Sequence, residues 1–206
     1  VRSRCNLCTM GEINYMSNED DLKSINEIIA ARFKKIEDAV ESAETITGIF
    51  ESLVDGIENE FTVPFVWLTL MDHQTSTPVI NEIKTSERLE NRLSVVSKEL
   101  LDKILTGGMK PVLANKDLQH FYRLLPPSRK YFIRSVAVVP FALDGQFIGT
   151  WNNGDADANR YEPDMKTDLL ESLAQKLSAR LTLLAARKDS ETKPAGGQDQ
   201  TGENHD

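Results

Sequence analysis

The chain has 206 residues, and 24 Lys and Arg against 32 Asp and Glu leave a formal charge of −8. That length allows one domain with a sizeable core plus appendages, while the acidic balance argues against nucleic acid, which needs a basic face, and against an anionic membrane surface. Two cysteines are too few for a disulfide scaffold, the apolar runs are far short of a spanning helix, and Arg2, Arg4 and Glu12 interrupt any signal-peptide core. A soluble cytoplasmic protein is the expectation.

Residues 1–17 form a mixed leader holding Cys5-Asn-Leu-Cys8. From Asn18, a plausible N-cap, the pattern becomes helical and continues to residue 62. Leu22, Ile25, Ile29, Ile36, Ala39, Ala43, Ile46, Phe50, Leu53 and Ile57 follow alternating steps of three and four, with only Arg32 breaking the register at a core position. About five heptads of this kind predict one long helix that pairs with a second copy, as a coiled coil or a bundle. Gly48 and Gly56 mark a bend or a close crossing within it.

Pro64 ends that helix, and a strand is expected over 65–72. A shorter strand is read at 78–84, a helix at 95–105 stopping at Gly107-Gly108, a strand at 112–114 and a short helix at 116–125. Two apolar runs, 133–143 and 146–152, flank Asp144-Gly145. An Asp-Gly step accepts the positive backbone angles of a two-residue turn, so this is the strongest hairpin signal in the chain. A polar loop then leads to a helix over about 163–187, with Leu169, Leu170, Leu173, Leu177, Leu181 and Leu184 along its apolar side and Pro163 in its first turn. Residues 188–206 have almost nothing to bury and read as a disordered tail.

The order of helix, strands, helices, antiparallel hairpin and long closing helix resembles a GAF domain. The stretches Arg134-Ser-Val-Ala-Val-Val-Pro140, Gly149 and Asn159-Arg-Tyr-Glu-Pro-Asp-Met-Lys-Thr-Asp-Leu-Leu170 are similar to the bacterial GAF-like family called domain of unknown function 484. In element order the resemblance covers residues 20–187; in specific residues it covers about 130–180. It implies an α+β fold over 63–187, with a central antiparallel sheet flanked by helices and long N-terminal and C-terminal helices. It supplies no catalytic residues.

Cys5-x-x-Cys8 has the spacing of one zinc knuckle, and two such pairs in a dimer would complete four thiolates. The other reading is two reduced cysteines in a flexible leader. The acidic loop 153–161 lacks the Gly and the terminal Glu of a calcium loop and reads as Asx turns before a helix. There is no Gly-x-Ser-x-Gly, no phosphate-cradling glycine loop and no His-Glu-x-x-His, so a non-enzymatic protein is expected.

A pocket is the more credible feature. Alternation along 65–71 puts Phe65, Trp67, Thr69 and Met71 on one strand face. Trp67 and Thr69 there, Arg134 and Ser135 entering the hairpin, and Trp151 and Asn153 leaving it are the candidate ligand contacts, with Tyr122 and Arg129 in the covering segment. In the GAF fold such a cavity lies between one sheet face and the following helices and loops. The reading is a stand-alone sensory or regulatory domain. It binds a small molecule and signals, to a separate protein or through its dimer, by way of helices at 22–57 and 169–184. The alternative is a GAF-fold interaction scaffold that binds no small molecule.

Overall fold

The computed structural model describes residues 8–106, 108–125 and 131–192. In chain order the elements are α1 (Cys8–Ser42), α2 (Ile46–Phe61), β1 (Phe65–Met71), α3 (Thr77–Lys84), β2 (Leu93–Val96), α4 (Lys98–Leu105), β3 (Val112–Ala114), β4 (Ser135–Leu143), β5 (Gln146–Asp155) and α5 (Asp168–Thr192). The strands form one five-stranded sheet in the order β2-β1-β5-β4-β3. β1 and β2 run parallel and the remaining pairs antiparallel, so the sheet is mixed where a purely antiparallel one was expected. Among the described residues, no helix is long and apolar enough to cross a membrane.

The largest departure from expectation is in the N-terminal helix. The predicted continuous helix 18–62 breaks at residues 43–45 and folds back as α1 and α2. Thr45 is the reason on the α2 side. Its backbone is extended and its hydroxyl accepts from the Gly48 amide at 2.9 Å, which satisfies one of the free amides of a new helix start. On the α1 side, Arg180 of α5 donates to the Ala43 carbonyl through Nε at 2.8 Å and an Nη at 2.6 Å. The two helices then cross closely: a Cβ on Gly56 would stand 2.8 Å from Ile36 Cγ1. Phe33 and Phe61 close the pair with ring centroids 4.8 Å apart.

This fold-back consumes much of the stripe assigned to a dimer. Ile36, Val40, Ile46, Ile49, Phe50, Leu53, Val54 and Ile57 are buried within the chain, where they pack with Leu173, Leu177 and Leu181 of α5 and the inner sheet face. Leu22, Ile25 and Ile28 remain exposed on α1. Glu37 clasps α1 to α5, accepting from Ser172 Oγ at 2.8 Å and pairing with Lys176 Nζ at 3.0 Å.

Three smaller expectations also change. Residues 78–84 are helical, because Pro78 sits in the first turn of α3 and Val79, Ile80 and Ile83 are its buried side. The expected helix 95–105 is divided: Leu93–Val96 pairs with β1 as a strand and α4 starts at Lys98. The expected helix at 116–125 is a single 3₁₀ turn, Leu118–Phe121.

The strand expected at 112–114 is β3, and the hairpin forms at its expected turn. Asp144 has φ 50° and Gly145 φ 73°, with Leu143 opposite Gln146, the two-residue geometry that matches strand twist. Pro140 lies two residues beyond Val138, the last residue of β4 paired with β3, where no ladder donor is required on that side. Beyond it, α5 satisfies the open edge: Ala142 N donates to Ser178 Oγ and Asp144 N to Thr182 Oγ1, both at 2.9 Å. α5 itself begins at Asp168, and residues beyond 192 lie outside the described residues.

Candidate functional site

The sheet has an inner face under α1, α2 and α5 and an outer face under shorter pieces. Val66, Leu68 and Leu70 point inward; Trp67 and Met71 point outward, with Phe65 packed alongside. On the outer face Trp67 and Met71 pack with Leu101 and Leu105 of α4, Phe121 of the 3₁₀ turn, and Leu124, Leu125 and Ile133.

In the middle of this apolar face sits a buried polar cluster. Thr69, Thr150 and Asn152 have no exposed surface. Thr69 lies opposite Thr150, and Trp67 opposite Asn152. The Asn152 amide donates to Thr69 Oγ1 at 3.0 Å and to the Trp67 carbonyl at 3.4 Å, and its Oδ1 accepts from Thr150 Oγ1 at 3.0 Å. These bonds offset the desolvation of three side chains. The Trp67 indole Nε1 is buried with no hydrogen-bond partner among the described residues.

Two residues along β1 from Thr69, on the same face, Met71 borders a cleft of about 470 Å³. Phe147, Leu105 and Met109 continue its apolar surface, Gly108 also lines it, and Lys98, Asp102, His73, Thr75 and Gln146 contribute polar groups. Lys98 is paired with Asp102 at 2.6 Å. The Thr75 amide donates to His73 Nδ1 at 3.3 Å, so a neutral His73 ring carries its proton on Nε2. This arrangement can hold an apolar body and hydrogen-bond a polar end.

The predicted contacts divide between the two faces. Trp67 and Thr69 share the outer face. Trp151 packs in the inner core beside Leu68 and Val139, so one pocket cannot hold both tryptophans. Asn153 lies opposite Val66 on β1 and borders a different cavity. Ser135 is buried and donates to the Asp157 carbonyl at 2.6 Å, which ties down the loop after β5. Arg134 and Tyr122 are exposed. Arg129 and Cys5 lie outside the described residues, and Cys8 is the first residue of α1. Among the described residues, no group of three or more His, Cys, Asp or Glu side chains is placed to hold a metal ion.

Thr150 and Asn152 were not singled out from the sequence. Their signal was present as polar residues at period two within β5, out of phase with Trp151. Only the register shows that they, and not Trp151, share a face with Trp67.

The chain thus forms an α+β domain with a five-stranded mixed sheet, helices on its inner face and a cleft at one end of its outer face. Neither the protein-family models nor the curated proteins compared with it include a match.

Proposed function

We propose that this chain is a GAF-like sensory or regulatory domain that binds a small molecule in the outer-face cleft and signals through helices of a homodimer. The observation that carries the reading is the cleft itself: an apolar floor on the same strand face as a buried, hydrogen-bonded polar cluster. β1 supplies the route inward. Met71 borders the cleft while its neighbour Leu70 packs in the inner core with α2 and α5. A ligand that shifts β1 therefore biases helix packing, provided it binds the two arrangements unequally. Dimerisation uses the α1 residues left uncovered, Leu22, Ile25 and Ile28, together with Leu169 and Leu183 on α5. An interaction scaffold without a small-molecule ligand is the second reading. It is favoured by the close cover that Leu101, Phe121 and Leu124 give Trp67.

A metabolite library tested by thermal shift separates the two. The sensor reading expects at least one compound to raise the melting temperature and to change Trp67 fluorescence. Met109→Trp, at an exposed position beside the cleft, should remove that response without lowering the starting melting temperature. No responding compound, or a response that survives Met109→Trp, would leave the scaffold reading.

A further inference from the structure

At the opposite end of β1 and β5, on the inner face, lies a second cavity of about 300 Å³. Phe33 of α1, Ile57 and Phe61 of α2 and Leu170 of α5 line it, and β5 contributes Asn153. Only 3% of Asn153 is exposed, and its Oδ1 has no hydrogen-bond partner among the described residues. A buried amide oxygen without a donor is unfavourable and uncommon in a folded chain.

The surrounding groups define what could supply that donor. Tyr161 also lines the cavity. Burial pushes its phenol up to about 12, against the opposing pull of Arg160 and the Asn153 amide, so it stays neutral at ordinary pH. Arg160 is already engaged: it pairs with Asp155 Oδ2 at 3.1 Å and donates to the Phe61 carbonyl. Lys166, the remaining cation of the lining, is exposed. The interior therefore offers apolar surface, the Tyr161 hydroxyl beside the Asn153 amide and one unpaired acceptor, with no uncommitted buried cation to receive an anion.

The geometry points to a second binding site, distinct from the outer-face cleft, for a small neutral molecule that is apolar over most of its surface and carries one N–H or O–H to donate to Asn153 Oδ1. A cavity of this size is at the lower end of small-molecule pockets, which suits a one- or two-ring compound. Because α1, α2 and α5 all line it, an occupant contacts all three helices at once.

Indole and benzothiophene test the site, since they share a bicyclic shape and differ in the N–H. Titration followed by backbone amide shifts should place indole beside Asn153, Tyr161 and Leu170, with about tenfold tighter binding than benzothiophene. Asn153→Leu should erase that preference while retaining benzothiophene binding. Met165→Trp alters an exposed position in the lining, so it keeps the test decisive if Asn153→Leu fails to fold. It should weaken both probes about tenfold or more by occluding the mouth. The site is overturned by any of four results: shifts that map elsewhere, equal affinity for the two probes, a preference that survives in folded Asn153→Leu, or binding indifferent to Met165→Trp. Shifts at Asn153 and Tyr161 that follow protein concentration and ignore indole would assign the cavity to a second copy of the chain and also overturn it.

Discussion

The two faces of this sheet are covered in different ways. The inner face meets three helices, and Leu68, Leu70, Val139, Phe141 and Trp151 are fully buried there with Phe50, Leu53 and Leu177. The outer face meets the eight-residue α4, one 3₁₀ turn and connecting segments. It also carries Thr69, Thr150 and Asn152 at its centre and a cleft at one end. Long helices present continuous apolar rows that can follow a sheet over its length. Short segments cover it piecemeal and leave a gap. The difference teaches where stability and recognition divide: helix-covered surface supplies most of the apolar burial, and loop-covered surface has room for polar groups.

That contrast can be broken most forcefully from inside. Phe141→Ala removes a ring that packs against Phe50 with centroids 5.4 Å apart. It should cost about 3–5 kcal/mol, seen as a lower urea midpoint. Leu105→Ala, next to the outer cleft, should cost less because that site can collapse or admit water. Equal losses would erase the distinction.

The polar cluster sharpens the comparison. Asn152→Leu leaves the Thr69 and Thr150 hydroxyls buried without their amide partner, a loss of about 2–3 kcal/mol. Replacing all three residues by Thr69→Val, Thr150→Val and Asn152→Leu should recover most of it, because neither hydroxyl is then left without its amide partner. Equilibrium denaturation of the single and triple variants checks this. A triple variant that is stable but has lost its ligand response would tie the cluster to recognition.

Alkaline pH probes the inner face at Tyr161. Its folded pKa, near 12, is raised above the ordinary tyrosine value of 10 mainly by burial. The stability linked to the neutral phenol is therefore complete below pH 10 and falls as pH rises towards 12, by at most about 2–3 kcal/mol. Tyr161→Phe should flatten that part of the stability–pH curve, and ultraviolet absorbance should show one phenol titrating near 12. The smallest stability effect is expected at Ile25→Glu. This residue is 52% exposed, so the change should stay within about 0.5 kcal/mol, yet light scattering should show dimers lost. Ile36→Glu would instead unfold the chain, since Ile36 is buried against Gly56.

Parts of this architecture were legible one residue at a time. Asp144-Gly145 specified its hairpin because few other dipeptides accept two positive φ angles. The strand expected at 65–72 followed from a short apolar run after Pro64, and the apolar side of α5 from period 3.6. Short segments were harder. Val79-Ile80-Asn-Glu-Ile83 satisfies a strand pattern nearly as well as one helical turn, and only packing against the inner core selects the helix. Val95 and Val96 read as the start of a helix until β1 pairs with them.

For the site, the sequence by itself determined the chemical groups and their alternation within a strand: Trp67 with Thr69 and Met71, Trp151 with Asn153. Tertiary structure decided which alternating set met which. The register sets odd residues of β1 opposite even residues of β5, so Trp67 pairs with Asn152 and Trp151 with Leu68. On the hairpin side, Phe141 pairs with Gly149 while Ala142 pairs with Phe147, leaving Ile148 as an extra residue. That irregularity changes which residues of β4 and β5 stand opposite each other. The same holds for the N-terminal heptads. Their periodicity determined an apolar stripe, but the break at Thr45 decided that much of it turns inward onto its own chain. Periodicity is a property of neighbours along the chain, whereas a partner across a strand or a helix pair exists only once distant segments have met.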